Sequence, residues 1–129
     1  MSTPDDRRYT KEHEWVQLGD DGLAVVGITE YAQEQLGDIV YLDIEQPGTA
    51  VEADGVFGTI EAVKTVSELF SPLAGTIEEV NESLDASPES INQDPYGSGW
   101  MVKIRPDNAG DVEALMSAEE YRHMIGSDD

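Results

Sequence analysis

A chain of 129 residues has the length of one domain, enough to bury a core without disulfides or a structural metal. It contains no cysteine, which excludes disulfides, thiolate catalysis and cysteine-ligated metal centres; no apolar run reaches about 18 residues, so no membrane-spanning helix is expected. With 28 acidic against 7 basic residues the formal net charge is −21, which argues against nucleic acid and anionic membrane surfaces as partners.

Residues 1–8 are polar and are expected to form a loose lead-in, without the apolar stretch of a secretory signal. Trp15 and Val16 begin an apolar strand, Gly19-Asp-Asp-Gly22 is a turn, and residues 23–28 return as the second strand of a hairpin. Thr29 caps a short helix that stops at Gly37, with Tyr31, Gln35 and Leu36 on roughly one face. Residues 38–44 alternate as a strand closed by Pro47-Gly48, residues 49–52 form a short strand, and Asp54-Gly55 turn tightly. Two β-branched apolar arms follow: Val56, Ile60 and Val63 before Lys64, then Val66, Leu69 and Phe70 after it. They fold back on each other as a hairpin with Lys64 near the bend. Residues 76–80 make another strand, and 81–99 are polar and turn-rich, with one helical turn at 88–92. Residues 100–105 alternate as a final strand and stop at Pro106. From 111 to 125 the pattern is helical; Ser117 caps the last helix, Glu119 and Glu120 lie in its first turn, and residues 126–129 fray.

Short strands with frequent turns and peripheral helices describe a single small β-sandwich or barrel over residues 1–129. Glycine and proline punctuation on both sides of Lys64 suggests two similar half-sheets meeting at its hairpin. The acidity is spread from Asp5 to Asp129, and self-repulsion at that density destabilises the compact state unless salt screens it. A halophilic host with a salt-rich cytoplasm is the expectation.

Catalytic chemistry finds little support. The two histidines, His13 and His123, lie near opposite ends of the chain, and no Gly-x-Ser-x-Gly elbow is present. His13 reads as a partly buried packing residue and His123 as an exposed one. Glu52-Ala-Asp54-Gly55 is too short for a calcium loop, and no glycine-rich phosphate loop occurs. The chain has only three lysines, and one of them, Lys64, sits in its most strand-like region. Such a lysine either blocks sheet-to-sheet association at an edge or is presented for covalent modification. A carrier of a swinging arm needs a lysine on a rigid, exposed turn, so that a ligase reaches it and tethering raises local concentration at several partners. The Lys64 hairpin fits that requirement.

The run Gly58-Thr-Ile-Glu-Ala-Val-Lys64, with Ser71-Pro-Leu-Ala-Gly75 and Glu78-Glu-Val-Asn81, resembles the lipoyl-attachment signature of the glycine cleavage H-protein family. His13-Glu-Trp-Val16, Gly27-Ile-Thr29, Ala32-Gln33, Leu36-Gly37, Pro95-Tyr96 and Gly99-Trp-Met101 are similar to the family's other stretches, in the same order from Tyr9 to Tyr121. The resemblance implies a mainly β fold, a barrel-sandwich hybrid of the lipoyl/biotinyl-carrier kind. Two small antiparallel sheets, short peripheral helices and a C-terminal helix would compose it. It implies lipoate in amide linkage on Lys64, and a non-catalytic carrier that shuttles the aminomethyl group of glycine between enzymes. The implied partners are glycine decarboxylase (P protein), the aminomethyltransferase (T protein), dihydrolipoyl dehydrogenase (L protein), and a lipoate ligase or lipoyl/octanoyl transferase. Glu61 matches a position favoured by the attaching enzymes. Glu14, Gln35 and Glu68 fall where the family places a cleft for the arm, Gln35 standing where many members have histidine and Glu68 where aspartate is common.

Other readings differ in what they require. Biotin carriers flank their lysine with methionines, where this chain has Val63 and Thr65, and lipoyl domains of the 2-oxo-acid dehydrogenases lack the Trp15 and Trp100 stretches. An H-like protein that relays lipoyl groups to other enzymes, and an acidic interaction module with an unmodified lysine, remain as alternatives.

Overall fold

The computed structural model describes residues 3–126. In chain order the elements are β1 (Arg8–Tyr9), β2 (Glu14–Leu18), β3 (Ala24–Ile28), α1 (Glu30–Leu36), β4 (Ile39–Ile44), β5 (Ala50–Val51), β6 (Val56–Ala62) and β7 (Val66–Phe70). Then follow β8 (Gly75–Val80), α2 (Ser83–Ala86), α3 (Ser90–Gln93), β9 (Val102–Pro106), a 3-10 turn (Ala109–Val112) and α4 (Ala118–Ile125). The strands form two antiparallel sheets, one ordered β1-β2-β3-β9-β8-β5 and the other β4-β6-β7. Among the described residues no helix is long and apolar enough to cross a membrane.

Alternation decides which side chains reach the interior. Val16, Val26, Ile77 and Ile104 of the larger sheet meet Leu42, Phe57, Ile60 and Leu69 of the smaller one in a single apolar core, joined by Ile91 and Met101. The result is sandwich-like rather than a closed barrel. A second cluster lies on the other face of β2, where Tyr9, Trp15 and Tyr121 are buried under α4. The rings of Tyr9 and Tyr121 stack with centroids 4.8 Å apart. Trp15 donates from Nε1 to the Pro95 carbonyl at 2.9 Å, and its ring lies over Gly27, where a Cβ would come within 2.7 Å of it. Only glycine fits beneath that ring.

Three expectations are corrected. The sheets do not divide at Lys64: the larger takes β1, β2, β3 and β5 from before it and β8 and β9 from after it, and the smaller takes β4 and β6 from before it and β7 from after it. The span 111–125 is not one helical stretch: the 3-10 turn ends early, Met116 pairs with Tyr9 through two backbone hydrogen bonds (2.9 and 3.0 Å), and α4 starts only after Ser117. The open edge of β1 captures that backbone before a helix can continue, and the capping box of Ser117 and Glu120 sets the new start. The lead-in is not loose over its described part. Thr3 is buried, its carbonyl accepts from Arg122, and the Pro4 carbonyl accepts from the Tyr9 hydroxyl. The Arg7 guanidinium lies 4.6 Å from the Trp15 ring centroid and donates to the Tyr96 carbonyl. Charged side chains with apolar stems make this segment look unstructured in sequence while they tie it down in space. At the other end Gly126, at φ 73°, caps α4, and the residues after it lie outside the described chain.

Candidate functional site

β6 and β7 pair as a hairpin whose tip is residues 63–65. The Ala62 amide donates to the Thr65 carbonyl at 2.8 Å and closes the turn. The Val63 amide donates to the Asp38 carbonyl at 3.0 Å and ties the turn to the start of β4. Lys64 is exposed on this anchored tip between Val63 and Val66, which are 74% and 61% exposed. Its Cε lies 3.5 Å from where a Cβ on Gly37 would stand. Gly37 ends α1 at φ 80° and ψ −155°, a region that side-chain-bearing residues avoid. The Lys64 side chain therefore passes beside the C-terminal end of α1.

α1 forms because Thr29 leaves β3 in extended conformation and its hydroxyl accepts from the Ala32 amide at 3.2 Å. At its other end Asn92 of α3 makes three bonds: it donates to the Gly37 carbonyl (2.8 Å) and to Gln33 Oε1 (2.9 Å), and accepts from the Ile39 amide (2.9 Å). Asn92 thus fixes the bend beside Lys64. Nothing in the sequence marked it, since its partners lie more than fifty positions away.

Between α1 and the β7 edge runs a cleft of about 340 Å³. Apolar side chains wall it, among them Ile28, Leu36 and Phe70, and polar ones include His13, Glu14, Gln35 and Glu68. Three residues singled out in sequence, Glu14, Gln35 and Glu68, are thus brought to one cleft. Gln35 and Glu68 are exposed at its rim, whereas Glu14 is 2% exposed. Glu61 does not line it; it lies in a cross-strand row between Tyr41 and Val66, all three exposed.

Glu14 is the electrostatic centre of the cleft. Its carboxylate accepts from the Phe70 amide at 2.8 Å and from the Thr10 hydroxyl at 3.3 Å, both of which favour the charged form. Burial outweighs them and pushes its pKa up to about 8. Around neutral pH this carboxyl exchanges its proton readily, and a cation placed beside it would displace that proton. His13, at φ 67°, turns the chain into β2, and its ring packs obliquely on Tyr31 with centroids 4.8 Å apart. Burial holds its imidazole below the ordinary histidine value, against a weaker opposing pull from Glu12. Sequence reading took His13 for packing alone; it also lines the cleft. Among the described residues no group of three or more histidine, aspartate and glutamate side chains is arranged to hold a metal ion.

The family description "Glycine cleavage H-protein" matches residues 7–128. The chain belongs to that family. It is 58% identical over 127 residues to the glycine cleavage system H protein of Chlorobium limicola, covering 98% of this chain and 99% of the relative. To its counterpart in Bacillus velezensis it is 51% identical over 128 residues, covering 99% and 100%. The crystal structure of a glycine cleavage system H protein from Mycobacterium marinum superposes with a TM-score of 0.88 at 40% identity, covering 95% of this chain and 98% of that one. The chain is accordingly a non-catalytic lipoyl carrier of the glycine cleavage system, with the P, T and L proteins as its partners.

Proposed function

We propose that Lys64 is the residue that carries lipoate, and that the cleft of Glu14, Gln35 and Glu68 shelters the cationic cargo between visits to the enzymes. The position of Lys64 carries this reading: an exposed ammonium on a turn held by two backbone bonds, beside the end of the helix that walls the cleft. Of the other two lysines, Lys103 is engaged with Glu79 and the Trp100 ring, and Lys11 lies in the turn between the two-residue β1 and β2 and does not line the cleft. The apolar walls suit an aliphatic arm, and a buried carboxyl at its base suits a positive charge. When bound, the lipoyl group supplies a disulfide that is reduced as it accepts the one-carbon unit; the protein supplies position and shelter. Glu14 holds or releases a proton as the cation leaves or arrives, Phe70 and Thr10 keep its oxygens in place, and the apolar walls exclude water. Glu61, whose carboxylate accepts no hydrogen bond from a described residue, is offered beside the lysine to the enzyme that attaches the arm.

The −21 charge, with 28 acidic against 7 basic residues, supports a salt-rich cytoplasm as the working environment, as in a halophilic host. The attachment is tested by intact-mass spectrometry: a lipoyl increment on the wild type is expected to vanish in Lys64→Arg, and its survival there would move the site elsewhere. Glycine-dependent carbon dioxide exchange with the decarboxylase separates the carrier from a lipoyl relay. Failure of the lipoylated protein beside active decarboxylase would favour the relay.

A further inference from the structure

Three polar side chains from distant parts of the chain meet behind the cleft. Tyr121 of α4 is fully buried; its hydroxyl lies 2.7 Å from Thr29 Oγ1 and 2.9 Å from His13 Nδ1. Thr29 is equally buried, and its Oγ1 already accepts from the Ala32 amide as the cap of α1. The backbone holds the same pair together, since the Thr29 amide donates to the His13 carbonyl at 3.0 Å.

Counting hydrogens orients this chain. Buried hydroxyls donate as well as accept. Among the described residues the hydroxyl hydrogen of Thr29 has one acceptor within reach, the Tyr121 oxygen. Tyr121 must then donate onward, and its remaining neighbour is His13 Nδ1. Nδ1 is an acceptor, so the imidazole is neutral with its hydrogen on Nε2. Protonating Nδ1 would turn Tyr121 around and leave the Thr29 hydrogen without an acceptor. Burial holds the Tyr121 phenol well above its ordinary value, so it remains a donor throughout the physiological range. The ionisable groups facing His13 are Glu12 and Glu14 on its own segment, Tyr31 on α1, Tyr121 on α4 and Glu68 across the cleft. Of the carboxyl groups among them, Glu12 pulls toward an imidazolium, whereas burial holds Glu14 in its neutral form.

We propose that the ordered chain Thr29→Tyr121→His13 locks His13 as a neutral Nε2–H imidazole, making His13 a specificity-determining residue that keeps positive charge off the cleft wall beside Glu14. The role in sheltering rests on the cleft reading above, while the hydrogen placement stands without it. A second cation there would repel the cargo, and a fixed neutral ring does not. α4, far from the hairpin in sequence, thereby sets the charge of the site.

Long-range proton–nitrogen spectra of histidine-labelled protein, without the arm, read the placement directly. His13 is assigned by the loss of its signals in His13→Gln. The wild type is expected to show a protonated Nε2 and a bare Nδ1 down to pH 6. An Nδ1–H tautomer or an imidazolium at pH 6 would overturn the proposal whatever any other variant does. Tyr121→Phe keeps the ring stacked on Tyr9 and removes the donor, so the His13 titration midpoint is expected to rise by about one unit. In the loaded holo-protein without the aminomethyltransferase, the same variant should lose its cargo up to about tenfold faster at pH 6 and at the wild-type rate at pH 8. An unshifted midpoint sinks the lock. A shifted midpoint with unchanged cargo loss sinks the role in sheltering, while the Lys64→Arg mass test judges attachment separately.

Discussion

The main-chain amide of Phe70, at the end of β7, donates a 2.8 Å hydrogen bond to Oε2 of Glu14 at the start of β2, joining the two sheets at the base of the cleft. Yet burial keeps Glu14 protonated up to about pH 8, against an ordinary value near 4.5. Between those values the folded chain binds a proton that the unfolded chain does not. Stability contributed by this group therefore falls as pH rises from about 4.5 to 8, and is level outside that window. The loss is on the order of a few kcal/mol. Urea melts at pH 5 and pH 8 are expected to differ less for Glu14→Gln than for the wild type; an identical difference would remove Glu14 as the cause.

Gly37→Ala separates backbone strain from crowding. Its Cβ would meet Lys64 Cε at 3.5 Å, an ordinary contact, but φ 80° with ψ −155° is hostile to alanine. A loss of about 1–3 kcal/mol is expected, with slower lipoylation because the surface beneath the lysine shifts. Gly126→Ala, at φ 73° and ψ 27° on the far end of α4, should cost about 1 kcal/mol and leave lipoylation alone.

Asn92→Ala removes three hydrogen bonds at once. About 2–3 kcal/mol should be lost, and hydrogen exchange should quicken at Gly37 and Ile39 before it does in β8 and β9. Uniform quickening across the fold would show that Asn92 is a general stabiliser and not a local clamp.

Salt should stabilise this chain. The ion pairs Arg105–Glu78 and Lys103–Glu79 are partly exposed and contribute about 0–1 kcal/mol each, whereas mutual repulsion among the remaining acids is screened as ionic strength rises. A melting temperature that climbs steadily from low to molar potassium chloride is expected. A flat series would withdraw the salt-rich cytoplasm.

Local grammar made much of the fold legible. The Gly19–Gly22 turn, the Thr29 cap, the Gly37 stop and the paired arms around Lys64 each encode their geometry within a few residues. Contacts between distant segments left no such trace. Val26 pairs with Val102, Met116 with Tyr9, and Arg122 with the Thr3 carbonyl, and alternation alone cannot select those partners. The same holds in the site. Lys64 stood out because lysine is scarce here, but Glu14 was one acid among 28 and reached notice only through family resemblance. Its burial depends on β7 closing over it, which no local pattern announces. His13 was read as packing because its hydroxyl partner sits 108 positions away.

The two backbone bonds that pin residues 62–65 to each other and to Asp38 have a kinetic consequence. With the tip anchored by these bonds, the sweep of anything attached to Lys64 begins at its Cα, so its radius is set by covalent bonds. A partner enzyme that docks on this carrier meets a reactive end confined to a small hemisphere of constant size, at a local concentration that does not vary with loop motion. Relaxing the tip by inserting residues would widen that hemisphere and dilute the reactive end, slowing transfer without touching a single group that does chemistry.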